Sequence, residues 1–138
     1  MKLKSLLASI AVISTIALAG CGSDESSSSE GDGNGEGKQY TVGISQFVEH
    51  PSLDEATKGF KKALEDSGLS IKYDEQNAQG ELNNNQTIAT NLVSEKVDLI
   101  FANATPSAQT AANATKDIPI VFTSVTDPVG AKLVSSME

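Results

Sequence analysis

From Gln39 to the end of the chain, apolar positions switch repeatedly between a strand period and a helix period. Tyr40 to Ser45 reads as a first strand. Ser52, preceded by Pro51, opens a helix with Glu55 three residues later, the pattern of a capping box. Leu53, Ala56, Phe60 and Leu64 follow at helical spacing, with Asp54, Glu55, Lys58, Lys61, Lys62 and Glu65 turned outward, and Gly68 ends the run. Ser70 to Asp74 alternates, placing Ile71 and Tyr73 on one face, as a half-exposed edge strand does. A second helix is predicted from about Glu81 to Glu95, burying Leu82, Ile88, Ala89, Leu92 and Val93.

Val97 to Ala102 is a nearly continuous apolar run, suited to the middle of a parallel sheet. Thr105-Pro106 opens a third helix with a capping hydroxyl and a proline at the first helical position. Its Ala108, Ala111 and Ala112 face allows close approach to a sheet. Ile118 to Thr123 is a fourth strand, with Pro119 tolerated near its start. Strand and helix alternate with short connections, so the fold class is α/β: a parallel sheet with helices on both faces. The expected strand order is 2-1-3-4, because the second strand alternates and the third does not. Asp127 to Glu138 begins another turn and helix, with Val129, Leu133, Val134 and Met137 as its apolar set. No fifth strand follows, so the fourth is left as an edge, and the pattern predicts a piece of a longer protein.

The N-terminal pattern is of another kind. Lys2 and Lys4 precede an apolar stretch from Leu6 to Leu18, and the small pair Ala19-Gly20 leads to Cys21, the single cysteine. This is the anatomy of a cleaved export signal over residues 1–20, and it is shorter than the roughly 18–20 apolar residues a membrane span needs. Leu18-Ala19-Gly20-Cys21 resembles a bacterial lipobox. That resemblance implies diacylglycerol and palmitate attached at Cys21, and a chain anchored on the extracytoplasmic face of a bacterial cell membrane. From Gly22 to Lys38 there is no apolar residue, only glycine, serine, polar and charged positions, so residues 21–38 are expected to form a disordered acidic tether. Asp32 to Gly37 mimics the first half of a calcium loop, but the position that needs a bidentate glutamate is Gly43, which excludes calcium there.

Composition narrows the partners. The net charge is -8 and all 10 basic residues are lysine, a balance that argues against nucleic acid. One cysteine forms no internal disulfide, so packing alone must hold the exported fold. His50 is the single histidine, with no second nitrogen or sulfur ligand beside it to head a metal site. No nucleophile elbow, phosphate loop or dinucleotide fingerprint follows any strand, and no cofactor and no enzymatic activity are expected.

Ligands of open parallel sheets bind at the carboxyl ends of the strands. Three segments converge there: Gln46 to Asp54, Asn103 to Ser107, and Thr123 to Pro128. The candidate ligand-binding residues are Gln46, Phe47, Glu49, Asn103, Thr105, Ser107, Thr123 and Asp127. A carboxylate at the helix start of Thr105 to Ser107, with an amine held by Asp127 or Glu49, would make an amino-acid site, and Phe47 could stack on the side chain. Thr105 and Ser52 also read simply as helix caps, and Asp127 before Pro128 as a turn opener.

The runs Val42 to Asp54, Val97 to Pro106 and Pro119 to Pro128 together resemble the tryptophan/tyrosine-type family of ABC-transporter substrate-binding lipoproteins. The resemblance extends from the lipobox onward. It implies a periplasmic-binding-protein-like fold of two α/β lobes closing on a small solute, of which residues 39–138 would be the first lobe, incomplete at its C-terminus. It further implies delivery of the solute, an aromatic amino acid, to a membrane permease. A ligand-sensing lipoprotein coupled to a membrane receptor is the alternative reading.

Overall fold

The computed structural model describes residues 37–137. The export signal, Cys21 and nearly all of the tether lie outside the described residues. The elements run β1 (Gln39–Gln46), α1 (Pro51–Asp66), β2 (Ser70–Asn77), α2 (Leu82–Ser94), β3 (Leu99–Asn103), α3 (Thr105–Ala114) and β4 (Ile120–Thr123). All strand pairs are parallel and the order is β2-β1-β3-β4, as the alternation of β2 and the continuous apolarity of β3 require.

Side chains alternate across the sheet and build two cores. On one face Val42, Ile44 and Phe101 are buried under Phe60 and Leu64 of α1, with Ile71 and Tyr73 from β2. Phe60 and Phe101 stack with ring centroids 3.9 Å apart. On the other face Ile100 and Ala102 meet Ile88 and Leu92 of α2 and Ala108 and Ala111 of α3. The alanines let α3 lie close to the sheet. Gly43 does the same for α2, because a Cβ there would meet the Leu92 side chain at 2.7 Å. α1 stops short of β4, so Val121 on that face remains 44% exposed.

Several boundaries differ from those read in the sequence. β2 continues through Glu75, Gln76 and Asn77 because it pairs with β1 along its full length, Gln39↔Ser70 to Gln46↔Asn77. β4 begins at Ile120, since Pro119 offers no N–H and the Ile118 N–H turns back to Thr115 Oγ1 at 3.2 Å. Leu82, expected inside, is 64% exposed at the first turn of α2.

Of the helix expected over Asp127 to Glu138, the described part, Asp127 to Met137, forms turns instead; these close on Asp127, Pro128 and Val129 carbonyls, and Lys132 takes φ 59°. Of its apolar set, Leu133 packs on the core while Val129, Val134 and Met137 are exposed. With one of its four apolar positions packed on the core, a short helix here would not repay its nucleation cost.

Candidate functional site

The four strands end in register. Asn77 pairs with Gln46, Gln46 with Asn103, and Asn103 with Thr123, so a row of amides and a hydroxyl crosses the carboxyl edge of the sheet. The backbone ties the turns beyond them together. The Phe47 N–H donates to Asn103 O at 3.2 Å and the Ala104 N–H to Thr123 O at 3.1 Å, while the Gly80 N–H reaches Phe47 O at 2.8 Å. All three segments singled out in the sequence therefore meet at one edge.

Two of the proposed ligand residues prove to be internal braces. Gln46 Nε2 donates to Asp54 Oδ1 at 2.7 Å and to Val48 O at 3.0 Å, and its Oε1 accepts from Thr57 Oγ1 at 2.8 Å. Asn103 Nδ2 donates to Leu53 O at 2.8 Å and to Thr57 Oγ1 at 3.0 Å. Both side chains are buried, and their hydrogen-bonding groups are spent within the protein, apart from Asn103 Oδ1, which is buried with no partner. The Ser107 side chain also turns inward. Fully buried, it donates to Asn85 Oδ1 at 3.0 Å on the opposite face. Asn85 also accepts from Ser45 at 3.4 Å and donates to Thr110 at 2.8 Å. The last two residues of β1 are thus held from both sides, Ser45 by α2 and α3 through Asn85, Gln46 by α1 and β3 through Thr57.

Sequence reasoning missed Thr57 and Asn85, yet each carried a signal. Thr57 sits four residues after Leu53 and three before Phe60, and Asn85 three before Ile88 and four before Ala89. Each is a polar residue on an apolar helical stripe, which a helix buries whatever its chemistry.

The caps also differ. His50, not Ser52, caps α1: its Nδ1 accepts the Ser52 N–H at 3.2 Å, and the expected capping box with Glu55 is absent. Thr105 is not a cap either, being the first residue of α3. The N-cap is Ala104, held at φ 91° and ψ 158° with no side-chain bond. This backbone region is tolerated almost solely by glycine and costs on the order of 1–3 kcal/mol elsewhere. It leaves the N–H groups of Thr105 and Ser107, which no earlier turn of helix can satisfy, at the edge between β1 and β4. Ser124, just past β4, is also left-handed at φ 58°.

Phe47 is half-buried and packs toward the α2/α3 core, leaving only part of its ring for a ligand. Glu49 is exposed, and Thr105 and Thr123 are half-buried. Asp127 is exposed but occupied, its Oδ1 accepting the Gly130 N–H at 2.8 Å, so it is a turn former. A cavity of about 430 Å³ lies on the α1 side, where Gln46 and Thr57 border it together with Asp54, Lys58, Lys61, Lys62, Glu65 and Glu75. Its lysines are paired, Lys61 with Glu75 at 2.9 Å and Lys62 with Asp66 at 2.9 Å, so it offers no unbalanced charge. The turns at the sheet edge, with first-turn N–H groups that have no intrahelical partner, are the candidate site. Among the described residues no group of three acidic, histidine or cysteine side chains could hold a metal, and no helix is long and apolar enough to cross a membrane.

Residues 41–138 match the model of a family described as ABC transporter substrate binding protein. A tyrosine-binding protein of Clostridioides difficile is 52% identical over 145 residues, covering 99% of this chain and 42% of that relative. Among solved structures, a ligand-free, open substrate-binding protein with adhesive properties from Clostridium difficile is 53% identical, with a TM-score of 0.70 over 72% of this chain and 35% of that one. An ABC domain from Streptococcus pneumonia in complex with L-Trp is 39% identical, also with a TM-score of 0.70 over 72% and 35% of the two chains. The chain therefore spans about two fifths of the length of the curated relative.

Proposed function

Because the chain belongs to the ABC transporter substrate binding protein family, we propose that it carries the first wall of a site for an aromatic amino acid, tyrosine or tryptophan, captured for delivery to a membrane permease. The observation that carries this reading is the β3–α3 turn. Strained Ala104 presents the first-turn N–H groups of a ten-residue helix at the sheet edge. Such a helix start binds a carboxylate through its free donors and its dipole. Exposed Glu49 is then the acid for the ligand's ammonium group, since Asp127 is committed to its own turn. Half-buried Phe47 borders the ring. Binding involves no chemistry on the ligand, and the role is non-enzymatic.

A lipid at Cys21 would hold this site at the extracytoplasmic face of the membrane. The lipobox-like Leu18-Ala19-Gly20-Cys21 supports that placement.

The chain has no tryptophan, so titration with L-tryptophan is followed by the ligand's own fluorescence, and L-tyrosine by calorimetry. Saturable binding of at least one, weakened by Glu49→Gln, is expected. No saturation by either up to millimolar concentration would remove the ligand assignment. For the anchor, mass spectrometry of membrane-extracted protein should find a diacylglyceryl group on Cys21, and Cys21→Ser should release the protein from the membrane fraction.

A further inference from the structure

Thr57 is the single buried residue of α1, and it is polar. Its position on the apolar stripe would accept valine, which has the same shape without the hydroxyl. The hydroxyl joins two strand ends instead. It donates to Gln46 Oε1 at 2.8 Å and accepts from Asn103 Nδ2 at 3.0 Å, linking the last residue of β1 to the last residue of β3. Gln46 and Asn103 in turn grip the first turn of α1 through Asp54 and the Leu53 carbonyl. One side chain therefore fixes where the turn after β1 starts and where the turn after β3 starts.

This network is not built for stability alone. The one Thr57 hydroxyl proton goes to Gln46 Oε1, and Asn103 Oδ1 is left buried without a partner. An apolar filling of the same shape would carry no such penalty. What the polar version supplies is direction, because hydrogen bonds fix angle and register where apolar contacts slide.

We infer that Thr57 is a positioning residue of the site: through Gln46 and Asn103 it sets where the Phe47–Glu49 and Ala104–Ser107 turns stand relative to each other. The ligand part of its test rests on the amino-acid reading above, and the structural part does not. The experiment compares Thr57→Val, which keeps shape and loses the hydroxyl, with Thr57→Ser, which keeps the hydroxyl, in the full chain.

In amide-correlation NMR spectra, Thr57→Val should shift the backbone signals of Phe47 to Glu49 and Ala104 to Ser107, and Thr57→Ser should leave them near their original places. Affinity for L-tyrosine or L-tryptophan should fall about fivefold or more in Thr57→Val, the scale of one lost hydrogen bond, and stay within about twofold in Thr57→Ser. Shifts confined to α1, or a serine variant as perturbed as valine, overturn the inference. If the unmutated chain binds neither amino acid, the ligand reading falls while the NMR comparison still decides the role of Thr57. Should Thr57→Val fail to fold, the unmutated chain decides: the side-chain amide protons of Gln46 and Asn103 must exchange at least about tenfold more slowly than those of exposed Asn83 and Gln86. Equal rates overturn the inference.

Discussion

Gly43→Ala tests the packing that brings α2 onto the sheet. Gly43 lies in the middle of β1, paired with Asp74 on one side and Ile100 on the other. An added Cβ would stand 2.7 and 2.9 Å from the two Leu92 methyls and 3.2 Å from its Cγ. Ordinary carbon contacts lie near 3.5–4.0 Å, so the overlap approaches about 1 Å. Leu92 is fully buried and has no open space to swing into, which leaves an off-rotamer side chain or a displaced α2. Overpacking of this kind costs about 1–3 kcal/mol. Replacing glycine by alanine restricts the unfolded chain and returns roughly 0.4–1 kcal/mol. The expected net loss is about 1–2 kcal/mol, read from urea denaturation followed by far-ultraviolet circular dichroism. Leu92→Ala alone should cost about 2–5 kcal/mol. In the double variant the new methyl enters space the leucine left, so the losses should fall short of additivity by about 1 kcal/mol or more. A neutral Gly43→Ala, or a cycle additive within about 0.5 kcal/mol, would refute the contact as the reason for glycine.

Three further outcomes are expected. Ala104→Gly relieves a backbone strain of about 1–3 kcal/mol and adds about 0.5–1 kcal/mol of unfolded-state entropy, so the urea midpoint should rise; a fall would show that Ala104 is not strained. Asn85→Ala strips the hydroxyls of Ser45 and Ser107 of their acceptor and should cost roughly 2–4 kcal/mol, against almost nothing for exposed Asn83→Ala, and equal costs in urea would contradict the network. The Glu95 carboxyl is held above its usual range by a hydrogen bond and charge repulsion from Asp74, opposed by Lys72. The pair's contribution to stability is therefore present below the ordinary glutamate range and lost as pH rises through the raised value. Carbon-detected NMR should find the high Glu95 midpoint and its return toward normal in Asp74→Asn.

The fold was legible because its signals are periodic. The apolar run Val97 to Ala102 set β3 in the centre, and alternation in Ile71 and Tyr73 set β2 at the edge. What was hidden depends on partners in space. Glu75, Gln76 and Asn77 carry no strand signal and extend β2 only because β1 offers them a ladder. His50 stands in the sequence as a lone histidine, and nothing local distinguishes it from Ser52 as a cap until the backbone turn is known. The segment at Val129 to Met137 shows the converse: a helical pattern that packs only Leu133 on the core does not fold as a helix. At the candidate site, the shared strand edge was readable and side-chain orientation was not. The strand ends were correctly brought to one edge, but the alternation of the pleat sends Gln46 and Asn103 under α1, and Ser107 turns inward from the first turn of α3.

The distribution of unfavourable features across the sheet bears on why these inward-turned residues are polar. The unpartnered Asn103 Oδ1, the glycine-like backbone of Ala104, and the left-handed Gln79 and Ser124 all lie at or just beyond the carboxyl ends of the strands. At the amino edge Lys96 is also left-handed, at φ 56°, but among the described residues no buried side-chain acceptor is orphaned there, and the chain is tied by the Thr41 N–H on Asp98 Oδ2 at 2.8 Å with Lys38 beside the same carboxylate at 3.6 Å. Strain and orphaned acceptors persist only where surrounding packing over-determines them. Here that packing is the pair of networks centred on Thr57 and Asn85, one on each face, gripping consecutive residues of β1. A binding edge gains from such rigidity because side chains and loops ordered before the ligand arrives need not be ordered by it. The cost to the fold and the benefit to binding thus fall on the same few residues. A variant that relaxes that edge, as Ala104→Gly should, is accordingly expected to gain stability without gaining affinity.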